Sequence, residues 1–515
     1  MDSKSDPVPS PGATEAWSLS TYYPALFGLF IVYTIGQAIY NLYFHPLAHF
    51  PGPFVARASL LWRFYNTLSG RSHRALQRQH AIHGPVFRVS PNELTFASVQ
   101  SWKDIYGPPA PGKPHVTKSE FYDIYGAGFD TGCIGSERDP AVHARKKKNL
   151  AAAFSLKALH AQDGIVQGVI DGFVAKAGRL CREGSGGRGG TRWKEGGIDV
   201  TEWYEMVAFD ILGEMAFGEG FGCVEREEHH FWIRLILDHL IGIDLVDNLR
   251  RIGPLAMLGR YLLPWLTVSV KNKHSGYSRA KVAKRLNTPS TRPDFLSTLI
   301  DKVKSGEINQ EEMTAHASTL IIAGGETVAT TLAGATYHLL RTPSAYEQLK
   351  QEVRGRYKSY EEIDGQSALQ MPYLQAVINE ALRMHPSGAQ GFPRLSPGTT
   401  ISGHWVPKGT EIYTSAWTII RDPANFHEPN TFKPERWIDP DCQDNKEASQ
   451  PFSLGLRACI GRNFAYVEMA SILAKLIFRY EMELVDKDLN WEDESRFHIM
   501  WWKAPIYVRF TERDA

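Results

Sequence analysis

The chain has 515 residues, of which 43% are hydrophobic and 22% charged, proportions that exclude a disordered, collagen-like or multi-span membrane protein. Lys+Arg 57 against Asp+Glu 56 leaves a net charge of +1, so no global field recruits nucleic acid or another acidic polymer. Five cysteines (Cys133, Cys181, Cys223, Cys442, Cys459), odd in number and without a Cys-x-x-Cys pair, argue against a disulfide scaffold, and no Asn-x-Ser/Thr sequon occurs.

The beginning departs from this average. No Asp, Glu, Lys or Arg lies between Glu15 and Arg57. Tyr22 to Phe44 supplies about 20 mostly apolar residues, enough to cross roughly 30 Å of hydrocarbon, with aromatic residues at both ends. Residues 22–44 are therefore expected to form one transmembrane helix behind a short luminal segment, 1–21. A signal peptide fits less well, because a basic leading region is missing. Only Lys4 precedes the helix, whereas Arg57, Arg63, Arg71, Arg74 and Arg78 follow it, which puts the body in the cytosol. His45-Pro46 and Pro51-Gly52-Pro53 then make residues 45–53 a stiff linker that sets the tilt of the body, 54–515.

Within that body no internal repeat occurs. Gly184 to Gly197, half of it glycine, reads as a surface loop, and Val86–Val89 and Ile506–Phe510 read as strands. Asn309 is an expected N-cap, with Glu312 completing a capping box, for a helix about 45 Å long that Thr342-Pro343 stops after Arg341. A second helix opens at Pro372, carries Glu380 and Arg383, and ends before Pro386. The expected fold is mainly α with small β-sheets.

Chemistry concentrates in Phe452-Ser-Leu-Gly455-Leu-Arg457-Ala-Cys459-Ile-Gly461. The cysteine sits in a glycine-bounded loop ahead of a helical pattern, so backbone N–H groups and the positive helix end would hold a thiolate, a soft and electron-donating metal ligand. Glu380-Ala-Leu-Arg383 pairs opposite charges on one helical face. Ala323-Gly324-Gly325-Glu326-Thr327 places two glycines inside the long helix, at a cost of about 1 kcal/mol each, beside a hydroxyl that can compete for backbone carbonyls. Close packing of another helix is the alternative account of the glycines.

Phe452, Gly455, Arg457, Cys459 and Gly461 fill every defined position of the haem-binding signature of the cytochrome P-450 family, and the other two motifs occur in the family's order. The chain resembles that family from Tyr40 nearly to its end. Tyr40 to Leu47, Phe50 to Pro53 and Ala323-Gly-Gly-Glu-Thr-Val-Ala-Thr-Thr-Leu look most like microsomal members from filamentous fungi acting in secondary metabolism. The resemblance implies a cytochrome P-450 fold, haem b and Cys459 as the axial thiolate of its iron. It further implies that Glu326 and Thr327 deliver protons to oxygen where the helix opens above the haem, and that Ala323, Phe452 and Gly461 border the cofactor. Glu380, Arg383 and Arg436 are then a buried structural network. Arg394 and Arg457 are implied as propionate partners, joined by His143 and Lys147, which occupy matching positions by donor type rather than identity.

Some of Arg145 to Lys148 are expected to face a redox partner, with a solvated helix face as the alternative. No dinucleotide fingerprint is present, and the short stretch after Cys459 leaves no room for a fused reductase. The resemblance therefore implies electrons from NADPH through a separate NADPH-cytochrome P-450 reductase, with cytochrome b5 as a second donor, in the endoplasmic reticulum membrane. The implied activity is a monooxygenase acting on a lipophilic small molecule. A haem-thiolate isomerase or dehydratase and a membrane-anchored haem sensor or carrier are the alternatives. Pro114–Gly126, the helix around Ala323, Ser387–Phe392 and His498–Trp502 are expected to line the substrate pocket, with Gln390 as a hydrogen-bond donor and Trp501 and Trp502 alternatively core residues.

Overall fold

A computed structural model describes residues 19–109, 111–112, 114–126, 128–184, 192–252, 273–288 and 294–513. The segment 1–21, expected to be luminal, lies almost wholly outside the described residues, as does half of the glycine-rich stretch. The apolar helix runs over Leu19–Ile39 and continues as a wide turn, Tyr40–Phe44. Over Tyr23–Phe44 it has a mean hydropathy of 1.5 and is exposed nearly throughout, so it is long and apolar enough to cross a membrane.

The linker is docked rather than free. Leu47 and Phe50 are buried in a core cluster with Phe96, Trp102 and Ile412. Arg88 donates to Asn41 O (2.7 Å) and Pro91 O, Asn41 donates to Ala58 O (2.9 Å), and Arg88 N–H donates to Pro51 O (2.8 Å). A Cβ on Gly52 would stand 2.6 Å from Arg88 O, which explains the glycine between two prolines.

Helices dominate the body. The Gln310–Arg341 helix runs through its centre and is buried along most of its length. Asn309 caps it by accepting from the Glu312 N–H (2.7 Å), but the Glu312 carboxylate turns to Arg145 (2.9 Å), so the capping box is one-sided. The Val200–Phe217 helix, buried on almost every side, crosses it closely. A Cβ on Gly324 would stand 2.9 Å from Leu212 Cδ1, so that glycine does permit helix contact. The Pro372–Met384 helix starts and stops where its prolines dictate.

Among the described residues four sheets accompany these helices, two of them mere two-stranded pairs and two larger. In the larger, the strand order is Val86–Ser90, Glu93–Phe96, Glu411–Thr414, Arg394–Leu395, Thr117–Lys118, with one parallel pair in register Leu94 to Ile412. In the other, Tyr507–Glu512 lies between Tyr480–Leu484 and Gly197–Asp199, which pairs with Trp193–Lys194. The end of the expected glycine loop is therefore a hairpin, turned by Glu195 (φ 49°) and Gly196 (φ 83°).

Candidate active site

Cys459 lies between the short turn Gly455–Arg457 and the helix Arg462–Arg479. Its N–H donates to Phe452 O (2.9 Å) and closes the loop. Gly455 has φ 68°, and a Cβ there would stand 2.6 Å from Tyr106 O, so glycine is obligatory. Gly461 is different. Its φ is −83°, and a Cβ would touch only Cys459 Sγ, at 3.9 Å. Burial pushes the Cys459 thiol up, while the Gly461 and Arg462 N–H groups and the charges of Lys147 and Arg462 pull it down. The thiol still carries exposed surface, so it faces a hollow within the fold rather than packed side chains. Ala323 is likewise exposed in mid-helix, although Ile321, Ile322, Gly325 and Glu326 around it are buried. Phe452 packs against Tyr466 at 5.4 Å between ring centroids.

Beside this loop a cavity of about 480 Å³ is lined by His143, Lys147, Arg394, Leu456 and Arg457, with Ile105, Tyr106 and Val116 supplying apolar wall. Arg394 donates to Tyr122 OH (2.7 Å), Arg457 to Glu137 O (2.5 Å) and Arg138 O (2.8 Å), and Lys147 to Leu456 O (2.8 Å). Burial, then Arg457, Lys118 and Lys147, lower His143 to about 3. Burial and Arg394 lower Arg457 to about 10. Lys118, which no motif marks, is buried here as well, and burial, Arg394 and Arg457 hold it well below the usual lysine range. Cations thus line a partly apolar hollow beside the cysteine loop, a donor set that fits a flat apolar ligand bearing carboxylates, as haem does.

The charge network is complete. Arg383 grips Glu380 with two bonds (2.9 and 2.8 Å), Arg436 Nε donates to the same carboxylate (3.0 Å), and Lys433 N–H and Trp437 Nε1 add 3.0 and 2.9 Å contacts. The three charged side chains are essentially buried, and Asp444, which the sequence does not mark, pairs with the far side of Arg436.

At the helix centre, Thr327 Oγ1 donates to Ala323 O (2.7 Å) and the helix stays α-helical from Gln310 to Arg341. The expected local opening is absent in this structure because the threonine hydroxyl bonds back within its own turn. Glu326 is buried, contacts Lys503, and accepts from Thr330 Oγ1 (3.4 Å). Burial, with Glu205 adding to it, raises Glu326 to about 7 against the pull of Lys503.

Three of the expected pocket segments meet in a small cavity touched by Phe121, Gly388, Gln390 and Ile499. Trp501 turns away, donates to Pro386 O (3.0 Å) and packs with Trp417 and Phe497, so it is a core residue. In the basic run Arg145 to Lys148, Arg145 pairs with Glu312, Lys146 is buried and pairs with Glu137, and Lys147 turns to the cysteine loop. Lys148 and the paired Arg145 are the exposed members of the run.

A family model described as Cytochrome P450 matches residues 51–510. Cytochrome P450 monooxygenase ORF9 of Penicillium roqueforti is 55% identical over 484 residues, covering 94% of this chain and 93% of its own length. Cytochrome P450 monooxygenase BOT4 of Botryotinia fuckeliana is 50% identical, with 92% and 88% covered. A crystal structure of a cytochrome P450 (CYP102L1) superimposes with a TM-score of 0.69 at 18% identity over 86% of this chain and 94% of that one, which supports the fold. A cysteine loop and cationic hollow that fit haem, on this fold and with these relatives, are those of a haem monooxygenase, and the chain belongs to the cytochrome P450 family.

Proposed function

We propose that this monooxygenase is anchored in the endoplasmic reticulum membrane by residues 22–44, with its body in the cytosol. It hydroxylates or epoxidises a lipophilic secondary-metabolite intermediate of terpenoid, polyketide or alkaloid type. Electrons come from NADPH through a separate cytochrome P-450 reductase, with cytochrome b5 as a second donor. The observation that carries the reading is the Cys459 thiol, open toward a hollow and held by two backbone N–H groups at a helix start.

Haem b, when bound, supplies the activation of O₂ and the transfer of one oxygen atom. Cys459 would hold its iron through sulfur, and the Gly461 and Arg462 N–H groups would counter the burial that raises the free thiol. Arg394, Arg457 and Lys147 would meet its carboxylates with charge-assisted bonds, and His143, which burial lowers to about 3 and so keeps neutral near pH 7, would contribute a ring N–H. Ala323, Phe452 and Gly461 offer surfaces without polar side chains. Glu326, poised near neutrality, holds a proton, and Thr327 passes it on when its hydroxyl leaves Ala323 O. Glu380, Arg383 and Arg436 hold the fold around the site. Phe121, Phe392, Phe497 and Ile499 offer apolar surface to a lipophilic substrate on one part of a cavity that Arg63, Glu93, Asp244, Asp247 and Glu411 also border, with the Gln390 amide as a hydrogen-bonding group.

Cys459→Ser tests the reading. It should abolish the red-shifted Soret band of the reduced CO complex, and an unchanged band overturns the ligand assignment. Thr327→Ala should keep that band while NADPH electrons are diverted to peroxide. Fully coupled turnover in that variant removes Thr327 from the proton path.

A further inference from the structure

The ammonium of Lys503, 1% exposed, sits between two carboxylates from different helices. It contacts Glu326 of the long helix and lies 2.8 Å from Glu205 Oε1 of the Val200–Phe217 helix. Beyond Glu205 the groups lead outward. Glu205 Oε2 is 3.9 Å from His229 Nε2, which donates to Glu202 O (3.3 Å). His229 is 28% exposed, and Glu202 lies 3.7 Å from Arg192, a residue 47% exposed. Side-chain exposure rises in order along this path, from 7% at Glu326 to 13% at Glu205 and 28% at His229.

A cavity of about 20 Å³ touches both Glu205 and Glu326 and is otherwise walled by Phe209, Ile233, Ile236, Ile321, Ile322 and Gly325. That is room for one water, and the two carboxylates are its polar partners. The charges do not balance if both acids are ionised, since one lysine faces two carboxylates in an apolar surrounding. One shared proton neutralises the triad, consistent with Glu326 raised to about 7.

We propose that His229 and Glu205 form the route by which solvent protons reach Glu326, with Lys503 as the positioning residue that holds the two carboxylates together. This rests on the reading of Glu326 as the proton donor. Solvent protonates His229, the imidazolium gives its proton to the Glu205 carboxylate, and Glu205 passes it through the water-sized cavity to the Glu326 carboxylate. Each proton that leaves Glu326 is replaced by one from solvent, and Lys503 stays protonated throughout. The proton crosses a 3.9 Å separation at His229, which a small side-chain rotation or one bridging water would close.

The test follows the infrared carboxyl stretch of Glu326 in the full-length, haem-loaded protein, assigned by its disappearance in Glu326→Gln. Its pH midpoint and its rate of hydrogen–deuterium exchange after mixing into D₂O are read separately. Glu205→Gln removes a like charge, so the midpoint should fall by about one unit while exchange slows about tenfold. His229→Ala should slow exchange and leave the midpoint in place. Lys503→Arg, which keeps the charge, should preserve both. Exchange at the parental rate in both Glu205→Gln and His229→Ala overturns the route. The underlying reading is judged on Glu326→Gln alone, by peroxide released per NADPH with reductase and pooled lipophilic metabolites. Unchanged coupling there sinks the donor role of Glu326, whereas peroxide leakage there with unchanged exchange in the other two variants sinks only the route.

Discussion

Gly455 and Gly461 bracket the same cysteine, yet their own backbones demand glycine to different degrees. Gly455 combines φ 68° with a Cβ position 2.6 Å from Tyr106 O, a backbone atom that cannot swing aside. Gly455→Ala should therefore destabilise the protein by more than about 1 kcal/mol, visible as a lowered thermal midpoint. Gly461→Ala should leave the thermal midpoint of the haem-free protein nearly unchanged, because its φ is ordinary and its only near atom is Cys459 Sγ at 3.9 Å. Its effect belongs to haem uptake, read as Soret absorbance per protein. Equal loss of folded stability in both variants refutes this division of roles. Residue identity alone marked both glycines, and only the backbone dihedrals separate them.

At the scale of elements, the apolar helix and the body join through Asn41 rather than through a hinge. Removing residues 1–38 spares the Arg88–Asn41 and Asn41–Ala58 bonds and the buried Leu47 and Phe50, so the truncated body should keep its thermal midpoint. Removing residues 1–52 loses all of them and should cost about 3 kcal/mol or more, since two large apolar side chains leave the core and the Arg88 guanidinium loses a buried acceptor. Similar midpoints for the two truncations refute the docked linker. The Glu380 network admits a related measurement: Glu380→Gln leaves Arg383 and Arg436 buried without their counter-charge and should cost about 3–5 kcal/mol by denaturant titration. Much of this architecture was legible because its signals are local. Asn309, Pro343, Pro372 and Pro386 mark helix ends wherever the chain goes, and the spacing of Glu380 and Arg383 fixes their pairing on one turn. Lys118, Asp444, Glu205 and Lys503 were not legible. Lys503 meets Glu326 across 177 residues of chain, and no local pattern announces a partner that only the packing of a strand end against two helices supplies. The one-sided cap at Asn309 has the same origin, because Arg145 competes from another helix for the Glu312 carboxylate.

For the molecule as a whole, acid stability is set by histidines folded in their neutral form. Burial holds His73, His338 and His385 well below their ordinary value and His80 at about 4. His338 and His385 share one hydrogen bond between ring nitrogens (2.9 Å), which two imidazolium rings cannot make. The unfolded chain binds protons at these rings below about pH 6.5, whereas the folded chain does not. Stability therefore falls as the pH drops, by up to about 1.4 kcal/mol per unit for each ring, and the share of His80 ends near its folded value. Glu326 acts in the opposite sense. Its carboxyl is raised to about 7, so folding binds its proton more tightly and gains stability as the pH falls from there toward 4.5; Asp199, raised to about 6, and Glu468 act in the same sense, while His45, His143 and His230 join the four rings above. His73 isolates the effect best. Both its ring nitrogens are buried without a partner, and the ring lies 4.7 Å from Trp417 and 4.9 Å from Trp501, an aromatic setting that accepts a phenyl ring. His73→Phe should flatten the decline, leaving the variant about 2 kcal/mol more stable than the parent at pH 5 relative to their difference at pH 8. Denaturant titrations of both proteins at the two pH values measure that difference directly. Parallel pH profiles mean that His73 binds its proton as readily in the fold as in the unfolded chain, which contradicts the burial that sets its charge.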